Sequence, residues 1–213
     1  QQDFFKIKTL PLKKINSLNQ IVSDHINIKE VFASSQFEFG KNDKEISANG
    51  IISFTEAVKD AKLKSIDILI TAPINKSLSY SSSFKFLGHT DYLKHTFNIE
   101  PMMLLVSDKL KLGLLTEHIP IKDVVSEINT RKVIQKIKSL KDTLTKDFLI
   151  KNPKIAILAI NPHVGDNGVI GSEDQNILIP AITDINKDDN LIFGPFSADT
   201  FFCNENYIQY DGI

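Results

Sequence analysis

Lys154-Ile155-Ala156-Ile157-Leu158-Ala159-Ile160, broken by Asn161-Pro162-His163, is the stretch that decides the fold. Seven residues rich in isoleucine and alanine, ended by a proline, read as a buried β-strand. On its N-terminal side, Val133, Ile137 and Leu140 are spaced by four and three, one face of a helix that Thr130 would cap. On its C-terminal side, Ser172-x-x-Gln175 has the form of a capping box opening a further helix, with Pro180 expected to kink it or end its first segment. A helix before the strand and a helix after it indicate α/β layering.

The same alternation extends outward. Ser47 could cap a helix with Ile51, Phe54, Val58 and Ala61 on one face, followed by an expected strand from Ile66 to Thr71 that Pro73 stops. Met102 to Val106 and Lys111 to Thr116 read as two strands close enough for an antiparallel hairpin. Pro120 sits where a helix would begin, with Ile121, Val124, Val125 and Ile128 as its stripe. Leu191 to Phe196 reads as a last strand whose Pro195 confines its end to an edge. Gly40 to Asn49 and Thr183 to Asn190 read as polar loops. The expected fold class is therefore α/β, three-layered, with a mostly parallel, mixed sheet.

At about 150 residues per domain, the 213 residues allow one large domain or two small ones. Lys+Arg total 25 and Asp+Glu 26, a net charge of -1, so no basic excess favours nucleic acid or an anionic membrane surface. A single cysteine fits a reducing, cytoplasmic setting and excludes an intrachain disulfide. No apolar run reaches membrane-spanning length, and Gln1 to Lys6 lacks the charge and apolar core of a signal peptide.

Ligands of open α/β sheets gather beyond the carboxyl ends of the strands. Lys76, His118, His163 and Asp199 each follow an expected strand end closely. Two imidazoles with one or two further ligands suit zinc or another divalent transition metal, although a lone histidine in a loop is more often just solvated. Gly88-His89-Thr90-Asp91 precedes a helix that Thr90 or Asp91 would cap, and the amides of that helix start could receive a phosphate or carboxylate. The glycines at 165, 168 and 171 do not make a dinucleotide fingerprint. His25 and His95 read as surface residues.

Five motifs in order resemble the 4-hydroxythreonine-4-phosphate dehydrogenase family of pyridoxal phosphate biosynthesis. They are Thr71-Ala72-Pro73-Ile74-Asn75-Lys76, Gly88 to Leu93, Glu117 to Val124, Asn161-Pro162-His163 through Glu173, and Ala198-Asp199-Thr200. The likeness runs from about Ser47 to Thr200. It implies the architecture of isocitrate and isopropylmalate dehydrogenases, with residues 1–86 belonging to a first α/β domain. Residues 87–213 would form a second, which carries the metal-site histidines and the dimer interface. It also implies a homodimer whose interdomain active site uses both subunits.

On the same resemblance, His89, Thr90 and Lys76 are expected to bind substrate, and His118 and His163 are two of three metal ligands. Asp199 is an acid near the substrate, either a proton acceptor or a residue that orients a histidine. The implied reaction is NAD- or NADP-dependent oxidation and decarboxylation of 4-phosphooxy-L-threonine to 3-amino-2-oxopropyl phosphate. It is assisted by a divalent metal, zinc first, with magnesium or cobalt as alternatives. The family's third metal histidine, its opening glycine-rich segment and much of its nucleotide site have no counterpart in these residues. The chain is thus expected to be the central part of a longer protein and inactive alone. The competing readings are a sister dehydrogenase acting on a threonate or erythronate phosphate or a cyclic diol, a non-catalytic dimerisation or metal-binding module, and a metal hydrolase.

Overall fold

The computed structural model describes residues 11–33, 36–81, 83–188 and 190–213. The expectation about Gln1 to Lys6 lies outside them, as does Asp189 of the expected loop 183–190. The chain divides into two compact units, Gln1–Pro101 and Met102–Ile213. The sequence-based boundary was placed at 86/87.

In the first unit, strand β1 (Leu12–Ile15) pairs in parallel with β2 (Ile26–Lys29), in the register Leu12↔Ile26 to Ile15↔Lys29. Neither strand was legible in the sequence. The helix expected from Ser47 starts earlier: α1 spans Lys44–Lys62 and is capped by Asp43, whose carboxylate accepts the N–H groups of Glu45 and Ile46. Ser47 and the end of the expected loop 40–49 are thus helical, because Asp43 caps the helix one turn upstream. Phe54 and Val58 on α1 are buried against Phe84. Short α2 (Lys76–Ser79) is capped by Asn75, and α3 (His89–Phe97) ends at Asn98 in the left-handed conformation.

Ile66 to Thr71 is not a strand. Ile68 and Ile70 are 78% and 90% exposed, and no described strand pairs with the run. The apolar pattern is present, but a strand exists only as one side of a ladder.

The second unit holds the larger core. β3 (Leu104–Val106) and β4 (Lys111–Gly113) form the expected antiparallel hairpin, closed by the Ser107 and Leu110 backbones. The helix expected at Pro120 is only a 3-10 turn, Ile121–Asp123, followed by four-residue α4 (Val124–Glu127). Ile121 and Val125 are exposed while Val124 and Ile128 join the core, so only the C-terminal part of the stripe has a face to bury. Helix α5 (Thr130–Lys146) buries Val133, Ile137, Leu140 and Leu144, and its cap is Asn129, whose side chain accepts the Lys132 N–H.

β5 (Ile155–Leu158) and β6 (Ile192–Phe196) pair in parallel with a register shift between Ala156 and Leu158. At Gly194 (φ +122) a Cβ would stand 2.4 Å from the Ile157 carbonyl oxygen, so only glycine lets the strands approach there. Asp211–Ile213 runs between β4 and β5. Ala156 donates to Gly212 O, Gly113 donates to Ile213 O, and Ile213 donates to Lys111 O. These bonds join hairpin and parallel pair into one mixed layer, covered by α5 and by α6 (Ile179–Ile185). The α/β class holds.

The capping box at Ser172 does not form. A π-helical turn, Asp174–Leu178, precedes α6, with Pro180 at the junction. The wider turn accommodates a proline that cannot donate to an α-helical ladder.

Candidate functional site

The first unit places Lys76, His89 and Thr90 around the start of α3. His89 is its first residue, after Gly88, so Thr90 and Asp91 lie inside the first turn instead of capping it. Asp91 still serves the helix start, its carboxylate accepting the Leu87 N–H at 3.1 Å. The first amides of any helix have no intrahelical acceptor, and they favour an anion.

The His89 ring stands edge-on to Phe54, with centroids 4.6 Å apart. Burial against this aromatic cluster, and next the ammonium of Lys76, hold its pKa below the ordinary histidine value. His89 is therefore neutral near pH 7, able to donate from one nitrogen and accept at the other. The Lys76 stem passes Gly88, where a Cβ would meet Lys76 Cε at 3.6 Å. Lys76 supplies positive charge and His89 supplies a neutral hydrogen-bonding ring. His95, read as a surface residue, is exposed and packs on Phe86.

The second unit places His118, His163 and Asp199. His118 is exposed in the loop after β4 and has φ +54. His163 is exposed in the segment Pro162–Gly168 after β5, also left-handed at φ +51 and ψ +30. That conformation continues through Val164, Gly165, Asp166 and Asn167. Outside glycine such residues occur singly, and each costs about 1–2 kcal/mol. Strain of this kind persists only where surrounding contacts enforce it, and it clusters at functional sites.

Asp199 lies in the first turn of α7 (Ala198–Phe201), after β6. Its carboxyl is held below the usual carboxylate range, first by the Ser197 hydroxyl, which donates to Oδ1 at 2.5 Å, then by a backbone amide, and further by its electrostatic interaction with His163. The structure thus puts Asp199 within the electrostatic reach of His163. Among the described residues, no group of three or more His, Cys, Asp or Glu side chains could hold a metal ion. The two imidazoles are of the right chemical type for a divalent ion, but this chain's described residues do not complete a coordination shell.

Sequence reasoning missed the supports. Asp174 is fully buried and accepts N–H groups from Ile160 (2.8 Å) and Asn161 (3.0 Å) and the Asn161 side-chain amide (3.1 Å). That amide also donates to Glu173, whose carboxyl it holds below its ordinary pKa. Gln175, assigned to a capping box, donates instead to the Val164 carbonyl at 3.2 Å. The signal for Asp174 was available: it lies in phase with the buried Leu178, Ala181, Ile182 and Ile185, a lone acid on an apolar stripe. The Glu117 Oε2 is buried without a partner, beside His118 in sequence.

The family model described as pyridoxal phosphate biosynthetic protein PdxA matches residues 1–213. A 4-hydroxythreonine-4-phosphate dehydrogenase of Sulfurihydrogenibium sp. (strain YO3AOP1) is 41% identical over 203 residues, 95% of this chain and 62% of that protein. One from Bacteroides thetaiotaomicron is 34% identical over 178 residues, 83% of this chain and 49% of the relative. The crystal structure of a 4-hydroxythreonine-4-phosphate dehydrogenase from Burkholderia phymatum is similar with a TM-score of 0.79 at 28% identity, covering 95% of this chain and 62% of that one. The chain thus spans about half to three-fifths of the length of the relatives it matches.

Proposed function

The chain belongs to the PdxA family of pyridoxal phosphate biosynthetic proteins, and from that premise we propose that it is the part of a 4-hydroxythreonine-4-phosphate dehydrogenase that holds the substrate. The reaction is oxidation of the secondary hydroxyl of 4-phosphooxy-L-threonine, then decarboxylation to 3-amino-2-oxopropyl phosphate. The observation that carries the reading is the presentation of His163 on a left-handed turn within reach of an ionised Asp199. The motifs of a phosphate-compatible helix start, Lys76 and His89 to Asp91, precede it in the same chain.

Each residue has a role in this reading. The Lys76 ammonium and the first amides of α3 bind the substrate phosphate. Neutral His89 and the Thr90 hydroxyl fix the polar atoms next to it, which orients the secondary hydroxyl. Asp199 stays deprotonated at neutral pH and accepts a proton at its carboxylate oxygen, directly or by orienting His163. His118 and His163 supply two imidazole ligands, and residues outside this chain complete the shell. When bound, a divalent ion, zinc by preference, would acidify the hydroxyl and stabilise developing negative charge, and NAD or NADP would accept the hydride. The reading includes a homodimer, with residues 87–213 supplying its interface.

The test is made on the full-length protein. His118→Ala and His163→Ala should each lower bound metal and abolish NADH or NADPH formation from 4-phosphooxy-L-threonine. Unchanged metal content in both variants would remove the ligand assignment. A metal-loaded enzyme that ignores this substrate but oxidises a threonate or erythronate phosphate would be a sister dehydrogenase.

A further inference from the structure

Five consecutive left-handed residues need an external cause. The φ/ψ pairs of His163 (51/30), Val164 (58/33), Gly165 (75/3), Asp166 (43/59) and Asn167 (54/31) describe a turn of the disfavoured hand, and four of the five carry a Cβ. Val164 is β-branched, the type least suited to positive φ. Local bonds contribute: Val169 donates to Asp166 O and Ile170 to Gly165 O. They close the loop but do not aim it.

Two side chains from the π-helical turn do aim it. The Asp174 carboxylate gathers the Ile160 and Asn161 amides, which fixes the strand end where the turn departs. It also holds the Asn161 side chain, against which Gly171 closes so tightly that a Cβ there would come within 2.7 Å of that amide. Gln175 grips the Val164 carbonyl from the other side, while its Oε1 is buried without a partner. A buried amide left half-satisfied is a cost, and it is borne where the Nε2 end has a task. Neither Asp174 nor Gln175 figures in the chemistry above.

We infer that Asp174 and Gln175 are positioning residues: together they enforce the left-handed turn 163–167 and thereby the direction in which His163 presents its imidazole. The inference deepens the proposed function and rests on His163 being a site residue. The turn itself is testable without it.

The experiment uses isotope-labelled full-length protein and the variants Gln175→Met and Asp174→Asn. Backbone couplings and Cα shifts of residues 164–167 report the sign of φ, ring signals report the His163 environment, and titration with Co2+ reports binding at the imidazoles. Gln175→Met should keep the wild-type resonances of α5, lose the positive-φ pattern at Val164, shift the His163 ring signals and bind Co2+ about ten-fold more weakly or worse. Asp174→Asn should do the same more strongly. If Asp174→Asn does not fold, Gln175→Met decides alone. Wild-type couplings and ring signals in Gln175→Met would overturn the inference. A His163→Ala protein that binds Co2+ as the parent does would instead overturn the functional reading, and the couplings would still judge the turn.

Discussion

Gly165→Ala, set against Gly168→Ala, separates two demands that the left-handed turn makes on its glycines. Both residues have positive φ, +75 and +94. At Gly168 an added Cβ meets nothing within 4 Å, so alanine there pays only the backbone preference, about 1–2 kcal/mol. At Gly165 the same Cβ would lie 2.4 Å from the Gly171 carbonyl oxygen and 3.3 Å from Gln175 Oε1. The carbonyl belongs to the backbone and cannot swing aside, so an overpacking cost of about 1–3 kcal/mol adds to the first, about 2–5 kcal/mol in all. The chain has no tryptophan and divides into two compact units, so bulk fluorescence would average over both. Hydrogen exchange at the Ala156 amide, which bonds to Gly212 inside the second unit's sheet, reads that unit directly. Gly165→Ala should lower its opening free energy clearly more than Gly168→Ala. Equal losses, or a Gly165→Ala protein within about 0.5 kcal/mol of the parent, would refute the close approach of Gly165 to Gly171.

Lys76→Met should raise the pKa of His89 in an NMR titration yet leave it below the ordinary value, because burial is the larger cause. A histidine with a depressed folded pKa binds fewer protons than the unfolded chain in mild acid. Its share of stability is therefore complete above about pH 6.5 and declines as pH falls toward the folded pKa. Ser197→Ala should bring the Asp199 carboxyl back toward the usual range in a carbon-detected titration, and an unmoved Asp199 would discard the hydroxyl as its main cause. The contribution of Asp199 is present above about pH 4 and fades as pH drops through its lower folded value. Asn129→Ala should cost about 0.5–2 kcal/mol in the exchange stability of α5 while Thr130→Ala costs clearly less, and the reverse order would restore Thr130 as the cap.

What the sequence disclosed divides along a physical line. Val133, Ile137 and Leu140 announce α5 because helix period and burial coincide on a helix long enough to show both. The β3–β4 hairpin and β5 were legible for the same reason, as local pattern and environment agree. Ile66 to Thr71 carries an equally good strand pattern and forms none, because pattern records what a segment could bury and not whether a neighbour is present. Caps failed by a few residues: Asp43 in place of Ser47, Asn129 in place of Thr130, Gly88 in place of Thr90. Several capping residues sit close together in each case, and tertiary packing decides which of them the first turn uses.

The candidate site could be nominated from the sequence as a set of residues, but its geometry could not be read there. The rule that ligands gather beyond strand ends drew attention to His163 and Asp199, which lie after β5 and β6, two strands that pair. It could not reveal that His118 and His163 both take positive φ: histidine is enriched there, yet positive φ stays uncommon for any non-glycine residue. That information resides in contacts made across sequence, from Asp174 to Ile160 and Asn161 and from Gln175 to Val164. The same residues look dispensable when read locally, as one acid and one amide at a helix start. Their weight comes from opposing a backbone strain that is largest at β-branched Val164, about 1–2 kcal/mol, and smaller at His163, Asp166 and Asn167. A chain that relaxed this turn to the right-handed region would relieve the backbone and give up the bond from Gln175 to the Val164 carbonyl. The strained form therefore persists through contacts made by residues distant in sequence, Asp174 on the strand end and Gln175 on the Val164 carbonyl.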